Sequence, residues 1–313
     1  MLSIPTSFAR STEQHNVKLQ ALCDWIEGSL LFDALTQSIS YSDIIDVLLE
    51  EQIYDDQDFA SELVRSAWAE IRRRQRSPDQ GSPFEIETNR IIRLRPWEEV
   101  PEYSFCLLLS LGVWLGLQRV WQEKFGGGYT EQGELFELLT KEALAKQFPD
   151  WKFSLTGWSR TSARKLAEVV SVIVDLLREE VGKLEWAGSN ANEAGLDLLC
   201  YRSFADERVG IPVYLIQCAT GANWRSKVHT PDINLWKHII DFAATPLKGF
   251  AIPFALSEEE FRQNCVLVNG FLIDRYRILA ASSGSEEWVS PDLRSRLVEW
   301  MEPRAAELPY SDG

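Results

Sequence analysis

Asp197 and Gln217 are a carboxylate and an amide, each set into an apolar run within residues 192–227. The first run, 195–201, reads GLDLLCY, and the second, 213–219, reads VYLIQCA. Both have the composition of strands, and a charged turn at 203–210 separates them. A buried polar group without a partner costs about 1–3 kcal/mol, so the two residues need a reason to be there. One reason is a shared magnesium ion. Mg²⁺ takes oxygen ligands, usually one or two carboxylates, with water and phosphate completing the octahedron. Asp197 is then the anchoring ligand, and Gln217 with the backbone carbonyl of Cys218 supplies neutral oxygens. The other reason is structural: a hairpin polar pair whose members simply satisfy their hydrogen bonds.

Upstream, Gly133-Glu134-Leu135-Phe136-Glu137 runs into Leu138, Leu139 and Leu144 at helical spacing. An acid on a helix, G-L-D on one strand and Q-C-A on the next resemble the PD-(D/E)xK (restriction-endonuclease-like) nuclease superfamily over roughly residues 130 to 280. The resemblance implies Glu137, Asp197 and Gln217 as catalytic and metal-binding residues, with Mg²⁺ or Mn²⁺ as cofactor and DNA as substrate. Where the family carries its lysine, two residues after Gln217, this chain has Ala219. Some members carry the lysine on the following helix, and Lys227 in Asn223-Trp224-Arg225-Ser226-Lys227 is the candidate here. Glu193, four residues before Asp197, is a spare carboxylate without an assigned role. The resemblance further implies a metal-dependent endonuclease of the kind that acts in prokaryotic anti-phage defence beside a partner NTPase or sensor. The alternative is a decayed nuclease fold that binds DNA or a protein partner without cutting.

A basic cluster, Arg160, Arg164 and Lys165, follows Trp158, a mix of cations and an aromatic suited to tracking a strand. With Arg225 these are the candidate nucleic-acid-binding residues. A second cluster, Arg72-Arg73-Arg74-Gln75-Arg76, ends a predicted helix, where cations complement the helix dipole or meet a partner. The net charge of −15 argues against constitutive, sequence-blind DNA binding, whose affinity comes from neutralising phosphates. A local basic strip, or a partner subunit, has to supply those contacts; whether copies of the chain self-associate stays open.

The elements that must position these residues follow from periodicity. Residues 15–76 read as helices, and the block 105–117, FCLLLSLGVWLGL, is a buried helix too short for a bilayer, which needs about 20 residues. Gly126-Gly127-Gly128 marks a boundary between a helical docking or regulatory domain, 1–126, and the nuclease-like domain, 127–313. Beyond it come a helix at 131–147, a short strand near 151–153, a helix at 166–181 and the two central strands. A helix capped by Thr230 follows, then a strand at 249–256, a helix from Ser257, and a last helix from Ser290. The expected class is α/β, a mixed β-sheet flanked by helices, with an all-helical N-terminal domain. Five scattered cysteines without a C-x-x-C pair and only three histidines argue against a zinc site. The opening residues lack the apolar stretch of a secretory leader, and a cytoplasmic location is expected.

Overall fold

The computed structural model describes residues 1–8, 18–126, 128–156, 166–183, 195–283 and 287–311. It is mixed α/β and divides into two compact units. The first comprises residues 1–126 and 282–313, and the second residues 127–281.

Four helices form most of the first unit: α1 (Leu19–Phe32), α2 (Tyr41–Glu50), α3 (Gln57–Arg74) and α4 (Pro101–Trp114). The α1 helix packs on both α3 and α4. Gly28 permits the second contact, because a Cβ there would lie 2.5 Å from Leu111 Cδ1. Ser40 caps α2 in a reciprocal capping box with Asp43, and Asp56 caps α3. A left-handed Gly116 separates α4 from α5 (Gln118–Phe125), and the axis bends by 108°. Among the described residues, no single helix is long and apolar enough to cross a membrane.

Two features depart from the expected all-helical N-terminal domain ending at residue 126. A three-stranded antiparallel sheet, β1 (Ser38–Ser40), β2 (Phe84–Ile86) and β3 (Arg90–Arg93), lies within this unit in the order β1-β3-β2. Its β2 and β3 carry short apolar runs on either side of Thr88-Asn89, too brief to stand out from a loop. The last helix, α11 (Pro291–Ala305), also belongs here rather than with the second unit. It packs on α4, and the chain after it pairs with the N-terminus through Ser3 N to Pro309 O (2.8 Å).

The basic tail of α3 is partly interior. Arg74 is fully buried and donates to Asp24 Oδ1 (2.9 Å) and Glu27 Oε2 (3.2 Å), with Glu70 Oε1 at 3.5 Å. Arg73 pairs with Glu70, and Arg72 donates to the carbonyls of Glu87 and Thr88. The Trp114 indole donates to the other oxygen of Asp24. This cluster holds α1, α3 and α4 together instead of awaiting a phosphate.

The second unit is built on a five-stranded sheet in the order β10-β9-β7-β6-β4. It comprises β4 (Lys152–Leu155), β6 (Leu198–Tyr201), β7 (Val213–Cys218), β9 (Leu247–Ala251) and β10 (Phe271–Ile273). Strands β4, β6 and β7 pair antiparallel in succession, while β9 is parallel to both β7 and β10. The α6 helix (Gly128–Gln147) packs on one face, against β4 and β7. On the other face α7 (Leu166–Leu177) and α8 (Ile233–Ile239) bury Val170, Ile173, Trp236 and Ile239 against Leu199 and Leu215.

A short pair, β5 (Glu180–Val181) and β8 (Ile240–Asp241), ends α7 and α8 earlier than periodicity alone suggests. α9 (Glu258–Val268), boxed by Ser257 and Glu260, and α10 (Arg275–Leu279) complete the unit. Asn269 closes α9 in the left-handed conformation, so Asn269-Gly270 turns the chain into β10 as its composition predicts.

Candidate functional site

Asp197 directly precedes β6 and is held by the backbone on both sides. Its N–H donates to Ile216 O (3.0 Å), and its carbonyl accepts from Thr156 N (3.1 Å). Its Oδ2 accepts from Cys218 N at 2.7 Å, which turns the carboxylate toward the end of β7. Glu137 projects from α6 toward the same place, near enough that the charge of Asp197 bears on it. The start of α6 is tied here as well, through Gln132 Nε2 to Thr220 O (3.5 Å).

Burial, the Asp197 charge and the Glu134 charge push the Glu137 carboxyl up to about 9. Asp197 is pushed up to about 6 by burial, against the Cys218 N–H and the positive charge of Lys227. The two carboxyls titrate as a coupled pair, both raised by burial. The Cys218 thiol beside them is raised by burial and by both carboxylates, with the Thr140 hydroxyl facing it.

Lys227 stands in the loop after β7. Residues Trp224–Lys227 form a 3₁₀ turn, in which positions three apart share a face. Trp224 is buried against Phe250 and Phe254, which fixes that turn over the strand ends. Lys227 itself is exposed, and its charge acts on Asp197. Ala219 is buried with its N–H given to Ala251 O (2.9 Å).

Gln217 is placed differently. Alternation along β7 sends its side chain to the face opposite Cys218. Its Oε1 accepts from the Thr230 hydroxyl, a contact permitted by the missing side chain at Gly195. A Cβ at Gly195, whose φ is +55°, would lie 2.7 Å from Thr230 Cβ. Thr230 is thereby engaged with Gln217, and Asp232 instead caps α8 through Asn234 N (2.8 Å).

Arg225 pairs with Glu260 Oε1 (3.4 Å) and stacks on Trp224, with 4.4 Å to the ring centroid. Arg160, Arg164, Lys165 and Glu193 lie outside the described residues. Among the described residues no group of three or more His, Cys, Asp or Glu side chains is arranged to hold a metal. No family model, curated protein or solved structure matches this chain.

Thr140, Glu134 and the Gln217 contact of Thr230 go unmarked in a reading of the sequence. Glu134 and Thr140 stand three residues either side of Glu137, so helical spacing alone puts them on its face. Nothing local links Thr230 to Gln217, since that contact is made across the fold.

Proposed function

We propose that the chain is a Mg²⁺-dependent DNA endonuclease of the PD-(D/E)xK type. The observation that carries this reading is the Glu137–Asp197 carboxylate pair, with the charge of Lys227 acting on Asp197. Two half-buried acids whose charges bear on each other form a site that a divalent cation would relieve. The order of α6, β4, β6, β7, α8 and β9 also supports a restriction-endonuclease-like core.

Asp197 would hold the ion through the oxygen not taken by Cys218 N, with Glu137 beside it. When bound, the ion would stabilise charge on the scissile phosphate and acidify a water. The Cys218 N–H keeps the Asp197 carboxylate oriented, and the Lys227 ammonium offsets charge on the phosphate or orients the water. Gln217, engaged by Thr230, positions the strand ends around Gly195. By the same resemblance, the natural setting is a defence effector working with an NTPase or sensor.

Incubating supercoiled plasmid with Mg²⁺ or Mn²⁺, against EDTA, tests this. Nicked or linear product only with metal is expected. Lys227→Ala should lower the rate about 100-fold, the scale of a lost general base or charge stabiliser, with the melting temperature unchanged. A wild-type rate in that variant would remove Lys227 from the mechanism.

A second reading is favoured by Ala219 in the lysine place and by the absence, among the described residues, of a three-acid cluster. On it the chain is a decayed nuclease fold that binds DNA or a protein partner. A plasmid left intact under every metal condition, with neighbouring gene products added, would favour it.

A further inference from the structure

The face of the five-stranded sheet that carries α6 holds a pocket of about 270 Å³. Its wall is aromatic, from Phe148, Trp151, Phe153, Tyr214 and Phe271, over a floor that includes Cys200. The Tyr214 ring neighbours both Trp151 and Phe271, with centroids 5.7 and 6.0 Å away. Phe148 is 40% exposed, and the other four rings are only half-buried, so the pocket opens to solvent. Ligand sites commonly run to roughly 300–1,000 Å³, so this one suits a single ring system.

One cation lies against the rings, and another stands on the helix that leads to them. The Arg277 guanidinium lies 5.3 Å from the Phe271 centroid, and it is exposed. On α6, Glu137, Lys141 and Leu144 follow at spacings of four and three, and Phe148, just past its end, keeps the helical turn by donating to Leu144 O (2.8 Å), so the four form one stripe. The stripe leads from the candidate acid, past a half-buried lysine, to the pocket wall. From Glu137 to Leu144 is about 10 Å of helix at roughly 1.5 Å per residue. Aromatic platforms beside cations are how proteins hold single strands, the bases stacking and the phosphates paired. An apolar side chain from a protein would have no use for the cations.

We propose that this pocket holds an unpaired base next to the scissile phosphate, so that the chain acts on single-stranded DNA. This deepens the nuclease reading, and Lys141 meets the phosphate between site and pocket. A base locked in a duplex cannot enter, and a pocket so poor in polar groups reads stacking rather than base identity.

The experiment is fluorescence anisotropy of labelled oligo(dT), oligo(dA) and a duplex, in EDTA, at low salt. Both single strands are expected to bind at least about 10-fold tighter than the duplex. Trp151→Ala and Phe148→Ala should each weaken single-strand binding about 10-fold, the loss of one base–aromatic stack. Trp151→Phe should restore most of it, and Lys141→Ala should flatten the salt dependence. Phe148 is partly exposed, so its variant reports even if Trp151→Ala fails to fold. Equal affinity for duplex and single strand, or wild-type binding in Phe148→Ala, overturns the proposal. Binding as expected without any cleavage leaves the pocket standing and sinks only the nuclease reading. Cleavage with no single-strand preference does the reverse.

Discussion

Asp197→Asn is expected to abolish metal-dependent cleavage, by on the order of 10³-fold or more, while raising the stability of the metal-free protein. The activity loss follows from removing the one anionic ligand that the backbone of β7 holds in place through Cys218 N. With the ion gone, several kcal/mol of transition-state charge stabilisation goes too, which sets the ~10³-fold scale. The stability gain follows from the raised pKa values. Asp197 rises from 3.8 to about 6 and Glu137 from 4.5 to about 9, so the fold binds protons more tightly than the unfolded chain. The stability these groups contribute is therefore complete below about pH 4 and lost as pH climbs from there to about 9. An asparagine keeps the acceptor for Cys218 N and drops the charge.

Melting the two proteins at pH 5 and pH 8, with and without Mg²⁺, separates the effects. Without metal, the Asp197→Asn variant should melt a few degrees higher than wild type at pH 8, since about 1 kcal/mol shifts a unit of roughly 150–250 residues by about 2–4 °C. Mg²⁺ should stabilise wild type at pH 8 by about 2.7 kcal/mol at roughly a hundred times its dissociation constant, and the variant hardly at all. At pH 5, with both carboxyls largely protonated, the metal effect should shrink. A variant that still cuts, or a wild type whose melting ignores Mg²⁺ at pH 8, would remove Asp197 as the anchoring ligand.

Arg74→Met should cost the first unit about 3–5 kcal/mol, the penalty for removing one partner from a buried ion cluster. Asp24 and Glu27, both essentially inaccessible, would lose the guanidinium that donates to each. Arg74→Lys should recover little, because a single ammonium cannot span the positions the fork reaches. Adding Asp24→Asn and Glu27→Gln to Arg74→Met should return much of the loss by discharging the stranded acids. Urea denaturation of the four proteins measures this, and a loss under about 1 kcal/mol in the Arg74→Met variant would refute it. Acid should act on the same cluster. Burial works to raise Glu70, but hydrogen bonding from Arg73 and the Arg74 charge outweigh it and hold the carboxyl low. That stabilisation is present above the unfolded carboxylate pKa, about 4.3, and fades as pH falls through the lower folded value.

What the sequence determined by itself is local. Apolar spacing set α2, α3, α6 and α7, and short-range side chains set the caps at Ser40, Asp56 and Ser257. The apolar runs GLDLLCY and VYLIQCA were enough to place two neighbouring strands, which pair antiparallel, with Asp197 just before the first and Gln217 within the second. Lys227 stands in the 3₁₀ turn that follows β7, with Trp224 of the same turn buried.

Only the tertiary structure decided the rest. Arg74 looks like any solvated helix terminus until α1 supplies Asp24 and Glu27 from about fifty residues away in sequence and closes it off from water. Thr230 has the type of a helix cap, yet its hydroxyl goes to Gln217 because Gly195 leaves room for both. The aromatic pocket draws its rings from the segment between α6 and β4 and from β4, β7 and β10, and no window of sequence contains them all together. The coupling of Glu137 to Asp197 has the same origin. Sixty residues separate the two acids along the chain, and burial beside a like charge exists only once α6 packs on β7.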